Sequence, residues 1–140
     1  MNRIRVLLVD DEEDFVHVVE KRLRKREVDT TVVTTGREAL AELEDGGVDV
    51  VVLDVRMPGM DGLETLEEIK RRHPDVEVIM LTGHASLDAA VNGMELGAFD
   101  YLMKPMDIDD LLYRIEDAYE KRTLAANENN RSDENDSTFV

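Results

Sequence analysis

The chain contains no cysteine, which excludes disulfides, thiol nucleophiles and cysteine-based zinc centres without itself fixing a compartment. Histidine is scarce too: His17, His73 and His84 are too scattered to suggest a metal cluster. Basic residues are in deficit, 17 against 33 acidic ones, giving a net charge of -16. A phosphate backbone is bound by clustered Lys and Arg, so direct nucleic-acid binding is not expected of this chain. No apolar run approaches the length that spans a bilayer, and the first nine residues read as a strand containing Arg3 and Arg5, not as a secretory leader. No membrane partner is expected, and the cytoplasm is the default location. Internal repeats and a second globular segment are also missing.

What is present suits one globular domain: 140 residues, 42% of them apolar and 36% charged, enough to bury a core under a highly charged surface. Five strand-like runs, Ile4 to Val9, Thr30 to Thr34, Val48 to Asp54, Val76 to Leu81 and Phe99 to Met103, alternate with helical patterns. That alternation predicts βα repeats and a parallel sheet. Thr35 with Glu38, Asp61 with Glu64 and Asp107 with Asp110 read as capping boxes at helix starts. Phe15, Val18, Val19 and Leu23 form the expected inward stripe of the first helix, and Leu111, Leu112, Ile115, Ala118 and Tyr119 that of the last. The globular unit is expected over 1–125. Residues 126–140 are polar and acidic with almost nothing to bury, and are expected to be a disordered tail.

The chemistry is expected at the carboxyl ends of the strands, where open α/β sheets hold their ligands. The Val-rich run ends in Asp54, and the first run ends in Asp10 and Asp11. If the two strands are neighbours, three carboxylates share one crevice and repel by ~4 kcal/mol per pair at an effective dielectric of about 20. A hard divalent cation resolves that conflict, and an oxygen-only donor set selects Mg2+, with Mn2+ as the alternative. Thr82 and Lys104 end the fourth and fifth runs. Together the five residues read as phosphoryl transfer to a carboxylate: Asp54 as nucleophile, Asp10 and Asp11 holding the metal, and Thr82 and Lys104 clamping the transferred group. Taken singly, Asp10 and Asp11 could be helix caps, Thr82 a local turn hydroxyl and Lys104 a surface ammonium; only the joint placement is specific.

The stretches Val9 Asp10 Asp11, Leu53 to Gly62, Leu81 Thr82 Gly83 His84 and Leu96 to Pro105 resemble the receiver domains of two-component response regulators. In motif they are closest to the receivers of NtrC/FixJ-type transcription regulators. The resemblance covers roughly Arg3 to Leu124 and implies the flavodoxin-like (βα)5 fold, with five parallel strands in order 2-1-3-4-5 and helices on both faces. It implies phosphorylation of Asp54 by a sensor histidine kinase or a histidine phosphotransfer protein. Asp11 and Asp54 would ligate Mg2+ through their side chains, Arg56 through its backbone carbonyl, and Asp10 through a metal-bound water. Thr82 and Tyr101 would form the switch pair, the Lys104–Pro105 peptide would be cis, and Arg56 and His84 would tune the lifetime of the phosphorylated state.

The same resemblance implies a downstream protein target, and a phosphorylation-linked homodimer through the fourth helix, fifth strand and fifth helix. Such a protein catalyses its own phosphorylation and dephosphorylation and is otherwise not an enzyme. No output domain follows the fifth helix, which reads as a stand-alone receiver, the alternative being a fragment of a larger regulator. Two other functions compete. A haloacid-dehalogenase-type phosphatase would place its nucleophile after the first strand, but Asp10 Asp11 Glu12 Glu13 lacks the second aspartate of that pattern. A phosphorylation-independent adaptor of the same fold would usually have lost site residues, and all five are here.

Overall fold

The computed structural model describes residues 3–56, 61–83 and 87–138, with side chains for the same residues apart from 87 and 127–138. Five strands, β1 (Arg5–Val9), β2 (Asp29–Val33), β3 (Val50–Asp54), β4 (Glu77–Thr82) and β5 (Asp100–Met103), alternate with α1 (Glu13–Lys25), α2 (Gly36–Glu44), α3 (Gly62–Arg72), α4 (Leu87–Glu95) and α5 (Ile108–Thr138). The strands form one parallel sheet in the order β2-β1-β3-β4-β5. This is the expected flavodoxin-like arrangement, with each expected run matched to within a few residues.

The central strands β1, β3 and β4 are apolar at every interior position because both faces are covered. Val6, Leu8, Val50, Val52, Ile79 and Leu81 pack against α1 and α5, while Leu7, Val9, Val51, Leu53, Val78 and Met80 pack against α2 and α3. The period-two alternation of the strands thus divides one sheet between two cores. Each fully buried Leu, Ile or Val contributes ~1.5–3 kcal/mol relative to an exposed one.

The helix starts follow the expected chemistry. Thr35 Oγ1 accepts the Glu38 N–H at 3.1 Å, and Asp61 Oδ1 accepts the Glu64 N–H at 2.8 Å. At α5, Asp107 Oδ1 accepts the Asp109 N–H at 3.0 Å, one residue earlier than the box pattern predicts. The α1 stripe needs a correction: Val16, Val19 and Leu23 are buried, and Val18 is 49% exposed. Adjacent valines point about 100° apart on a helix, so only one of Val18 and Val19 can face the sheet. In α5, Leu111, Ile115 and Ala118 are fully buried as expected.

The backbone of α5 is helical through Thr138, beyond the point where composition predicted a disordered tail. No Gly or Pro follows Pro105 to stop the helix. Its first three turns are anchored in the core, so each added turn needs only propagation and no new nucleus. No helix among the described residues is long and apolar enough to cross a membrane.

Candidate functional site

The pairing of β1 with β3 brings their carboxyl ends side by side, with Val9 in register with Leu53. Asp10 is therefore delivered next to Asp54, and both are buried, at 0% and 5% exposure. β4 and β5 lie on the other side of β3 and bring in Thr82 and, one residue past β5, Lys104. The Lys104–Pro105 peptide is cis, as expected from the motif.

Lys104 lies at the centre of the crevice. Its Nζ donates to Asp10 Oδ2 at 2.7 Å and to Glu12 Oε1 at 3.2 Å, and lies 3.6 Å from Asp54 Oδ2. The ammonium also sits over the Phe15 ring, 4.3 Å from its centroid. The second oxygen of Asp54 accepts the Arg56 N–H at 3.1 Å, and Asp10 Oδ1 accepts the Glu12 N–H at 3.0 Å. Each buried carboxylate is thus fixed by a backbone donor on one oxygen and faces the lysine with the other.

Burial, and then the charge of Asp10, push the Asp54 carboxyl up to about 6, against the opposing pull of the Arg56 N–H and of Lys104. Burial pulls the Lys104 ammonium down, but its hydrogen bond to Asp10 and the charges of Asp10 and Asp54 outweigh that and hold it above its usual range. Negative charge is under-compensated here: a single ammonium faces three carboxylates, and Asp54 lowers the conflict by holding a proton more tightly.

The carboxylate oxygens of Asp10, Glu12 and Asp54 can all lie within 4.8 Å of one another. The donors are all hard oxygens, two of the residues are buried, and one cation is too few for them. That set fits a hard divalent ion.

Of the residues expected from the sequence, Asp10, Asp54, Thr82 and Lys104 converge at this end of the sheet. Asp11, expected as a direct metal ligand, is exposed and is not among the three whose oxygens meet. Glu12 stands there instead. Its only sequence signal was membership of the acidic run Asp10 to Asp14; which member turns inward depends on how the chain leaves β1 and enters α1. Thr82 is buried, and its hydroxyl donates to the Leu102 carbonyl at 3.4 Å. Tyr101, half-buried, is packed against the core on the α2 and α3 face. Arg56 has an exposed side chain, and His84 lies outside the described residues.

The model of the response regulator receiver domain family matches residues 6–116. Among curated proteins, the DNA-binding transcriptional regulator NtrC of Salmonella typhimurium is 46% identical over 118 residues, covering 84% of this chain and 25% of NtrC. The transcriptional regulatory protein ZraR of Escherichia coli is 37% identical, covering 84% of this chain and 26% of ZraR. The chain thus spans about a quarter of the length of these relatives. Among solved structures, a receiver domain from Clostridium thermocellum superposes with a TM-score of 0.84 at 33% identity, covering 87% of this chain and 98% of that one. The receiver domain of NtrX from Brucella abortus gives 0.79 at 36% identity, covering 82% and 98%. These matches set aside the phosphatase alternative. An acidic crevice suited to metal-assisted phosphorylation of an aspartate, at the carboxyl edge of a 2-1-3-4-5 sheet, is what the matched family is built around, and the chain belongs to the response regulator receiver domains, phosphoacceptor modules that catalyse only their own phosphorylation and dephosphorylation.

Proposed function

We propose that Asp54 accepts the phosphoryl group from a phosphohistidine of a sensor histidine kinase or a histidine phosphotransfer protein. The observation that carries this is the setting of Asp54: buried at the end of β3, with one oxygen held by the Arg56 N–H and the other turned towards Lys104. In the forward step an Asp54 oxygen bonds to phosphorus as the P–N bond breaks. The electron pair stays on the imidazole nitrogen, which takes a proton from solvent. In the later discharge a water oxygen bonds to phosphorus, the bond to Asp54 breaks, the carboxylate is regained, and a proton of the water passes to solvent as inorganic phosphate leaves. We take the reaction to run in the cytoplasm, where a kinase would draw its phosphoryl group from ATP.

Mg2+, or Mn2+ in its place, would be held by Asp54 with Asp10, Asp11 and the Arg56 carbonyl as the neighbouring oxygen donors, Glu12 standing beside them with its carboxylate on Lys104; when bound it supplies positive charge to the phosphoryl oxygens. Lys104 compensates a further oxygen. Thr82 supplies a hydroxyl donor once it exchanges the Leu102 carbonyl for the phosphoryl group, and Tyr101, one strand over, follows into the space vacated. Nearly two added negative charges drive that exchange. Arg56 and His84 are taken, from the resemblance, to set the lifetime of the phosphorylated state.

The face read by a downstream protein target, or used by a phosphorylation-linked homodimer, is that of α4, β5 and α5. Val91, Met94, Met103 and Tyr113 expose apolar surface there, which supports this choice. The receiver unit is taken to end near 125, since the family match stops at 116 and, among the described side chains, the last salt bridges to the body are made by Lys121 and Arg122.

The test is intact mass after exposure to acetyl phosphate with Mg2+, beside Asp54→Asn and a chelator control. One phosphoryl adduct is expected, dependent on the metal and absent from Asp54→Asn. No adduct, from acetyl phosphate or from a histidine-phosphorylated kinase, would leave the phosphorylation-independent adaptor as the better reading.

A further inference from the structure

Glu12 stands at the mouth of the crevice, the exposed member of the three carboxylates that meet there. It holds the N-cap position of α1, but its side chain makes no capping hydrogen bond, and the first turn already carries Glu13 and Asp14 to complement the helix dipole. The side chain, 63% exposed, reaches across to Lys104 Nζ at 3.2 Å. An ammonium has three N–H donors. The shortest contacts of Lys104 are to Asp10 and Glu12, and the longest, 3.6 Å, is to Asp54, the group it has to serve. Asp10 is wholly buried and fixed by the Glu12 N–H, so its claim on the lysine is permanent. The claim made by Glu12 comes from the solvent side and is removable without disturbing the core.

We infer that Glu12 is a positioning residue that restrains phosphorylation, dividing the Lys104 ammonium between itself and the phosphoacceptor. The inference rests on the phosphoacceptor reading of Asp54. A phosphoryl group arriving at Asp54 competes with Glu12 for the lysine and meets a like charge beside it. The resting state is favoured over the phosphorylated one for both reasons, and Glu12 acts through Lys104 without contacting the reacting atoms.

The test compares the parent chain with Glu12→Gln and Glu12→Asp, following adduct formation from acetyl phosphate at saturating Mg2+ by intact mass. In that transfer an Asp54 oxygen bonds to phosphorus, the bond between phosphorus and the acetyl oxygen breaks, and acetate leaves with the electron pair. Glu12→Gln weakens the hold on Lys104 and removes the charge, and is expected to speed the transfer by about 3- to 10-fold, the size of an ordinary close charge effect. Glu12→Asp keeps the charge but is one methylene shorter, and at an N-cap it turns to its own helix N–H groups. It is expected to speed transfer at least about twofold, which a residue acting by charge alone would not do. A purely structural role would accelerate neither variant. Equal or slower transfer in Glu12→Gln overturns the inference, and slower transfer with a raised Mg2+ requirement would make Glu12 a metal ligand instead. Parent-like transfer in Glu12→Asp overturns the part played through Lys104. A parent chain that takes no phosphoryl group overturns the phosphoacceptor reading itself, and this inference with it.

Discussion

Asp54 is an acid kept where its charge is costly. Its folded-state value of about 6 lies above that of an exposed carboxyl, ~3.9. The folded protein therefore binds this proton more tightly than the unfolded chain does. Below about pH 4 both states are protonated and the site costs nothing. As pH rises through 4 to 6 the unfolded state ionises first, and the fold loses stability until both are ionised. Above pH 6 the full cost is present, ~1–3 kcal/mol. In metal-free buffer, Asp54→Asn should melt higher than the parent at pH 7.5, with the difference shrinking as the pH approaches 4 and with Mg2+ narrowing it at pH 7.5. Calorimetric melting of the two proteins across that range checks this, and identical melting at pH 7.5 would contradict it. Asp10, Asp54, Thr82 and Lys104 were legible as residues because each ends a strand-like run. Glu12 was not, because its inward turn is a property of the connection between β1 and α1.

Among the elements, the start of α3 is packed closely against the end of β3. A Cβ on Gly62 would lie 2.4 Å from Val55 Cα and 2.6 Å from the carbonyl oxygens of Asp54 and Val55. All three are backbone atoms that cannot rotate away, and the Gly62 N–H donates to that same Val55 carbonyl at 3.0 Å. Gly62→Ala should cost about 3 kcal/mol in a urea melt, as other overpacked sites do. It should also slow phosphorylation, because the atoms it displaces follow Asp54 directly. A variant of unchanged stability and rate would show that α3 can slide away from the strand. In the sequence Gly62 stood out only as the residue after the Asp61 helix start and as the last of the stretch Leu53 to Gly62. The same level of reading chose Val18 where Val16 faces the sheet, since a 3.6-residue period cannot rank neighbouring valines without knowing where the sheet lies.

At the scale of the molecule, two cores on opposite faces of one sheet hold five strand ends at a common edge. α5 closes one of those cores with Ile108, Leu111, Ile115 and Ala118, and is tied to the far edge by Lys121 to Glu77 at 3.5 Å and by Arg122 to Asp49 at 3.0 Å. Residues 123, 125 and 126 are exposed and Leu124 is 55% exposed, so little is buried between 123 and 126. Truncation after residue 125 should leave the urea-unfolding free energy within about 0.5 kcal/mol of the parent, as changes at exposed positions do, with the rate of phosphorylation unchanged. A larger loss would mean that the last turns of α5 pack on the body and that the receiver unit extends beyond 125.

The sequence by itself determined the five strands, the sense of their pairing and the family, because runs buried on both faces cannot be anything but apolar and because the residues that end them are few and chemically distinctive. Tertiary structure alone decided which carboxylates meet in the crevice. Asp10 and Asp54 meet because β1 and β3 are hydrogen-bonded neighbours, and Glu12 rather than Asp11 joins them because the backbone between strand and helix aims one side chain at Lys104 and the other at solvent. Direction of a side chain at a turn depends on a few backbone angles set by packing on both sides, and that information is not local to the run of acids that carries it.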